Sequence, residues 1–363
     1  MKLFSKYNLA NLELKNRIVM APMTRSRAIN NIPNDLMVEY YQQRADAGLI
    51  ITEGIAPSAN GLGYARIPGI YNEAQIQGWK IITDSVHKKE GKIFAQLMHT
   101  GRVSHPDNME KGAEIIAPSP IALQGEMYTD SNGMQAYPIP KEMTLSDIKQ
   151  AQNEYVEAAK NAVKAGFDGV ELHGANGYLI DQFINTASNK RSDTYGGSLQ
   201  NRTRFAIEVA QKVTDAIGNE KTGIRLSPYG VFSGMEVFEG LEETYEYLAS
   251  ELGKIKLLYI HIVDHSSMGA PEVSDSVKAK IRNAFGGTII VSGGLDRQKA
   301  EKALEEGNGD LAAFGRPFIA NPDMVYRMEK KLSLNEPDFD TFYTPGPKGY
   351  TDYPTINIEN SQG

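Results

Sequence analysis

One pattern recurs along the chain and limits what it can fold into. A short β-branched or apolar run ends in a polar or glycine-rich turn, and a stretch of helical period follows. The runs are RIVMAPM from Arg17, LIITEG from Leu49, KIFAQLMH from Lys92 and GVELHGA from Gly169. They continue with TGIRLSP from Thr222, LYIHIVD from Leu258, TIIVSGG from Thr288 and LAAFGRPF from Leu311, eight in all. Helical stretches such as DLMVEYYQQRADAG and EETYEYLASELGKI lie between them, and several end at Gly, a common C-cap. Strand–helix alternation implies a parallel sheet, because parallel neighbours need crossovers. Eight units fit a closed (β/α)8 barrel, expected here as a single domain over 1–363. An open doubly wound sheet is the alternative that alternation leaves.

Two stretches depart from the pattern. Residues 100–143 have no clear helical period and are rich in Pro, Gly, Met and Tyr. Insertions of that length are often lids or binding loops, and this one follows strand three on the face where barrel sites form. The tail after Pro337, DFDTFYTPGPKGYTDYP, is aromatic and turn-rich. Its aromatics predict that it packs back on the barrel.

Composition excludes several classes. The formal charge is -7, from 45 acidic against 38 basic residues, which argues against a nucleic-acid footprint. Zero cysteines exclude disulfides, thiolate metal sites, iron–sulfur clusters and a Cys nucleophile. No apolar run approaches the ~20 residues of a membrane span, and the N-terminal segment lacks a signal-peptide run. A soluble, cytoplasmic protein is the expectation.

In a barrel, chemistry sits at the C-terminal ends of the strands. Strand one ends in Ala21, Pro22, Met23 and Thr24, and strand two in Glu53 and Gly54. Strand three carries Gln96 and His99, and strand four leads to His173, Asn176 and Tyr178. Strand five holds Arg225. Strand seven ends Ser292-Gly293-Gly294, and strand eight is followed by Gly315 and Arg316. Glycines that expose backbone N–H groups after strands seven and eight predict a phosphate cradle. Arg225, inside an apolar run, needs an anion: a bound cofactor, or a barrel carboxylate such as Glu171. Gln96 offers a donor and an acceptor to an imide edge, and Thr24 a hydroxyl. A phosphate, a polar ring edge and a site for negative charge together suggest flavin mononucleotide. His99, His261 and His265 raise metal chemistry, but strand one lacks the paired histidines of hydrolase barrels, and no metal site is expected. No strand ends in the lysine an aldolase would need. The Gly61-Leu62-Gly63-Tyr64 stretch is a poor dinucleotide fingerprint.

Motifs along nearly the whole chain resemble the Old Yellow Enzymes, flavin-dependent ene-reductases, and their bacterial branch above all. They include LKNRIVMAPMTRSRA at Leu14, EYYQQRADAGLIITEG at Glu39, GYARIPGIY at Gly63 and FAQLMHTGR at Phe94. GVELHGANGYLIDQF at Gly169, NKRSDTYGGSLQNRTRF at Asn189, FGRPFIANPD at Phe314 and GYTDYP at Gly349 complete the set. The resemblance implies non-covalent FMN, with NADPH or NADH as hydride donor and activated alkenes as substrates, in a monomer or homodimer. It implies that Thr24, Gln96 and Arg225 contact the flavin ring, that Pro22, Met23 and Gly54 line it, and that Gly293, Gly294, Gly315 and Arg316 hold the phosphate. It further implies that His173 and Asn176 bind the substrate's electron-withdrawing oxygen, and that Tyr178 protonates carbon. Tyr64, Met98 and Tyr343 are expected to line the substrate pocket. Met98 stands where relatives carry Trp, so a wider pocket is expected. A barrel that holds flavin only as sensor or store would lack these donors.

Overall fold

The computed structural model describes residues 1–356. The eight barrel strands are β1 (Ile18–Met20), β2 (Leu49–Ile55), β3 (Ile93–Leu97), β4 (Gly169–Gly174), β5 (Thr222–Leu226), β6 (Tyr259–Val263), β7 (Thr288–Ser292) and β8 (Leu311–Phe314). They form one closed barrel, every neighbour parallel. Closure runs through Ala312 of β8, which pairs with Ile18 of β1. The open-sheet alternative is thereby excluded.

The crossovers are α1 (Asp35–Gln43), α2 (Glu73–His87), α3 (Leu145–Lys164), α4 (Leu199–Ile217), α5 (Leu241–Ile255), α6 (Asp275–Phe285) and α7 (Arg297–Glu305). Short helices at Arg316–Ala320 and Met324–Lys330 follow β8. Side-chain caps start most of these helices. Asn72 and Thr144 form capping boxes with Gln75 and Asp147, so two otherwise orphan N–H groups are satisfied at each start. One apolar face of each long helix packs on the barrel, around buried residues such as Trp79, Tyr155, Phe205 and Leu248.

The barrel interior is filled, not hollow. Phe94 and Tyr259 meet across it at 6.0 Å between ring centroids. Gly169 and Gly223 make that possible, since a side chain on either would collide with those rings. The hairpin of Tyr7–Leu9 and Leu12–Leu14 packs Leu9 and Leu14 into the same cluster and closes the N-terminal end. Filling at one end leaves the polar ends of β3 to β6 to form a site at the other.

Residues after β3 do not stay irregular. Glu126–Thr129 and Gly133–Ala136 form an antiparallel hairpin, and Ile116–Ala117 pairs with Lys141–Glu142. Asn108 ties the insertion down, its amide donating to the carbonyls of Gly63 (3.0 Å) and Tyr128 (2.9 Å). Arg66 forms an ion pair with Asp130.

The tail packs back as its aromatics predicted. Tyr350 stacks on Tyr40 at 4.1 Å. Arg25 donates to the carbonyls of Phe342 (3.2 Å) and Gly349 (2.8 Å), and Arg27 to those of Thr341 (2.9 Å), Phe342 (2.8 Å) and Lys348 (3.0 Å). Buried guanidiniums need several acceptors, and the tail backbone provides them. Among the described residues, no helix is long and apolar enough to cross a membrane.

Candidate active site

Strand register sets the first part of the site. His173 of β4 pairs with Arg225 of β5, which pairs with His261 of β6. Residues in register on a parallel sheet point the same way, so these three share one face. Gln96 of β3 pairs likewise with Glu171 of β4.

Glu171 is fully buried and already engaged. It accepts from Gln96 Nε2 (2.8 Å), Tyr259 Oη (3.1 Å) and His261 Nδ1 (2.9 Å). The Glu171 bond leaves Gln96 its carbonyl oxygen and a second amide hydrogen for a ligand. Arg225 is buried, and its Nε has no hydrogen-bond partner among the described residues. Glu171 favours the Arg225 charge electrostatically, but no ion pair within 4.0 Å joins them among the described residues. An unpartnered buried guanidinium beside polar strand ends is the feature expected of a site that receives an anion. Thr24, Pro22 and Met23 follow β1, half-buried and open to a ligand, and Gly54 sits in β2 beside Gln96.

The turn after β4 carries the second part. Asn176 (φ 60) and Gly177 (φ 76) are both left-handed, conformations that Asn and Gly tolerate best. The turn is held from several sides. Asn176 N–H donates to Ser227 Oγ (3.0 Å) and Gly177 N–H to Asp181 Oδ2 (2.9 Å). Gln182 Nε2 donates to the carbonyls of Gly177 (2.7 Å) and Thr100 (3.0 Å). The chain then turns into the short helix Leu179–Ile184, with Tyr178 at its head.

The tautomer of His173 follows from its backbone. Its Nδ1 accepts from Ala175 N–H at 3.3 Å, so in the neutral ring the proton sits on Nε2, free to donate. Burial, with Arg225, His261 and His265 nearby, holds its pKa well below the ordinary value, so the ring is neutral. Tyr178 meets His173 edge-on at 4.8 Å, and its hydroxyl lies 3.1 Å from that of Tyr64. Burial pushes the Tyr178 phenol up to about 12, while the Tyr64 hydrogen bond pulls the other way, so the group carries its proton at neutral pH.

Residues around this centre were read less evenly from sequence. Tyr343 is 61% exposed, but lies close enough to couple electrostatically to Tyr178 and Tyr64. Tyr137, from the insertion, couples to the same pair and was not anticipated. An aromatic at the hairpin base was the only signal available. Met98 is 1% exposed and packs with Ala56, Leu62 and Ile67, with Tyr64 and Tyr178 bordering the cluster. Its thioether fills the space that a side chain on Gly54 would take. His99 is buried with Nε2 unpartnered, and its Nδ1 accepts from Gly101 N–H (3.1 Å). Among the described residues, no three His, Cys, Asp or Glu side chains group as a metal site.

The glycine loop after β7 lies against the residues that follow β6. Gly293 (φ 122) presses on the Asp264 carbonyl, where no side chain fits, and Gly294 (φ 57) abuts Ser267. A groove of about 480 Å³ opens beside them, lined by Ser266, Lys278 and Lys299 among others. Gly315 caps the short helix beginning at Arg316, next to Met23. Arg316 is exposed and lies over the Phe339 ring at 5.7 Å.

Comparison with known proteins agrees with this geometry. Residues 2–335 match the NADH:flavin oxidoreductase / NADH oxidase family. 12-oxophytodienoate reductase 1 of Oryza sativa subsp. japonica is 40% identical over 361 residues, covering 98% of this chain and 93% of that protein. A Leishmania infantum protein named "Probable flavin mononucleotide-dependent alkene reductase" is 41% identical over 346 residues, covering 94% of each. The structure of morphinone reductase in complex with tetrahydroNAD superposes with a TM-score of 0.94 at 40% identity, covering 100% of this chain and 99% of that one. Barrel, strand-end donors and sequence thus agree that this chain is a flavin-dependent oxidoreductase of the NADH:flavin oxidoreductase / NADH oxidase family, that of the Old Yellow Enzymes.

Proposed function

We propose that this chain is an FMN-dependent ene-reductase that uses NAD(P)H to saturate activated alkenes such as enones, maleimides and nitroalkenes. The observation that carries the reading is the convergence of His173, Asn176 and Tyr178 at one strand end, beside the unpartnered Arg225.

The residues fit FMN. Arg225 offers an uncommitted buried cation, Gln96 a free amide edge, and Gly293, Gly294 and Gly315 a backbone cradle with Arg316 adjacent. Thr24, Pro22, Met23 and Gly54 complete the expected lining. Bound there, FMN would supply the hydride-transfer chemistry between NAD(P)H and the alkene β-carbon. His173 Nε2–H and the Asn176 amide donate to the substrate oxygen, which gains negative charge as the alkene is reduced. Donors held in place before reaction stabilise that charge without reorganising. Tyr178 gives its proton to the α-carbon and is re-protonated from solvent or Tyr64. The insertion at 100–143 acts as a lid, bringing Tyr137 near enough to Tyr64 and Tyr178 to act on them electrostatically. The Gly61–Tyr64 stretch leaves a 3-10 turn at Ala59–Gly61 in extended backbone and is not a strand–helix junction, which supports one site serving nucleotide and alkene in turn, with ping-pong kinetics.

The test uses the purified yellow protein. NADPH or NADH should bleach its flavin absorbance anaerobically, and 2-cyclohexenone should restore it. Bleaching without restoration by any alkene in a panel would leave a flavin reductase and sink the ene-reductase reading.

A further inference from the structure

His265, at the end of β6, places Nε2 at 2.6 Å from the Asn176 side-chain oxygen. An amide oxygen carries no proton, so the imidazole donates and the amide accepts. This matters because an asparagine is ambivalent. Rotating its amide by half a turn exchanges an NH2 donor for a carbonyl acceptor in nearly the same space. A carbonyl facing a developing oxyanion would repel it, so only one of the two orientations serves.

We propose that His265 is a positioning residue that fixes the Asn176 amide, so that its NH2 and not its oxygen faces the substrate. The inference rests on the reading of Asn176 as an oxyanion donor.

The imidazole is itself held. Its ring meets Phe232 edge-on at 4.6 Å, and the Phe232 carbonyl and Ser233 lie against Gly177 in the Asn176 turn. Asp264, one residue before, accepts from Ser266 N–H (2.9 Å) and Val273 N–H (3.3 Å), which fixes the loop. Burial, with Arg225 and Arg316 nearby and Asp264 opposing them, brings the His265 pKa down to about 4. The ring is neutral, with a single N–H that the Asn176 bond uses. The two donors are thus oriented by different means. His173 is set by its own backbone, and Asn176 by a side chain from two strands away.

The test measures binding of 4-hydroxybenzaldehyde, as its phenolate, to the FMN-loaded enzyme, by affinity and charge-transfer absorbance. Asn176→Ala should weaken binding about tenfold or more, and His265→Phe about fivefold, the worth of one orienting hydrogen bond. The double variant should bind no more weakly than Asn176→Ala alone, because His265 acts only through Asn176. His265→Gln, which retains an N–H donor, should recover affinity to within about twofold. Nitrogen-15 NMR of the unaltered enzyme should show His265 protonated at Nε2. Additive losses, a His265→Phe variant that binds normally while Asn176→Ala does not, or an Nδ1-protonated ring would each overturn the inference. If His265→Phe does not fold, His265→Gln and the tautomer measurement decide. Unchanged affinity in Asn176→Ala would instead remove the reading of Asn176 as donor, and this inference with it.

Discussion

The hydroxyls of Tyr64 and Tyr178 lie 3.1 Å apart, one from the loop after β2 and the other from the turn after β4. Tyr178→Phe should slow the oxidative half-reaction with an enone by on the order of 10²-fold, as loss of a general acid does. Tyr64→Phe removes the bond that makes Tyr178 a better acid and should slow the same step by only about 3–10-fold. Stopped-flow measurement of both half-reactions checks this. Equal slowing of flavin reduction by NADPH in Tyr178→Phe would assign the residue to packing.

Among the described residues, Arg225 Nε has no hydrogen-bond partner, and Glu171 favours its charge only from a distance. Arg225→Ala should therefore lower FMN affinity about 10–100-fold, the value of a charge-assisted hydrogen bond, and Arg225→Lys should lose less. Flavin stoichiometry after dialysis gives the answer. Full flavin retention in Arg225→Ala would mean that the guanidinium serves the barrel rather than the cofactor.

Met98 was expected from sequence to widen the substrate pocket, and its thioether packs against Gly54 in a cluster that Tyr64 and Tyr178 border. Met98→Trp should overpack this cluster and cost about 1–3 kcal/mol, seen as a lower Tm. A change in product enantiomeric excess should appear only with displacement of Tyr64 or Tyr178. An unaltered Tm with a changed substrate range would restore Met98 to the pocket wall.

Burial raises the Asp181 carboxyl from its ordinary 3.8 to about 7. The folded state then holds a proton that the unfolded chain releases. Stability associated with this group is fully present below about pH 4 and is lost as pH rises towards 7. Asp181→Asn should flatten the fall in Tm between pH 5 and pH 8, roughly halving it, because Glu53 is raised to about 7 for the same reason. An unchanged slope would mean that Asp181 is ionised in the fold.

The barrel was legible because each strand is short, apolar and followed by helical period, so local pattern and closed topology agree. His173, Asn176, Tyr178 and Arg225 were legible as polar residues that a buried strand end does not otherwise tolerate. The supports were not. Gln182 and Ser227 brace the Asn176 turn from positions that read as ordinary helix and strand residues. His265 read as a loop histidine with a weak metal signal, since its partner lies 89 positions away. Register across strands decides such pairings, and a single sequence states register only where turns are short. Arg25 and Arg27 likewise gave no sign that their acceptors were tail carbonyls.

Barrel closure also sets an order in time. The first strand of the barrel pairs with the last, Ile18 with Ala312, so no fragment ending before that pairing can close the ring. On the ribosome, β1 waits as an open edge through most of synthesis, with unpaired backbone groups that invite other chains. The clamp of Arg25 and Arg27 waits longer, for carbonyls at Thr341 to Gly349. Only then does Tyr343 come near Tyr64 and Tyr178. A chain ending before Thr341 would close its barrel yet lack Tyr343, and would leave Arg25 and Arg27 without their tail acceptors. The tail thus serves as a completion check, since only chains that reach Gly349 can satisfy Arg25 and Arg27 in full.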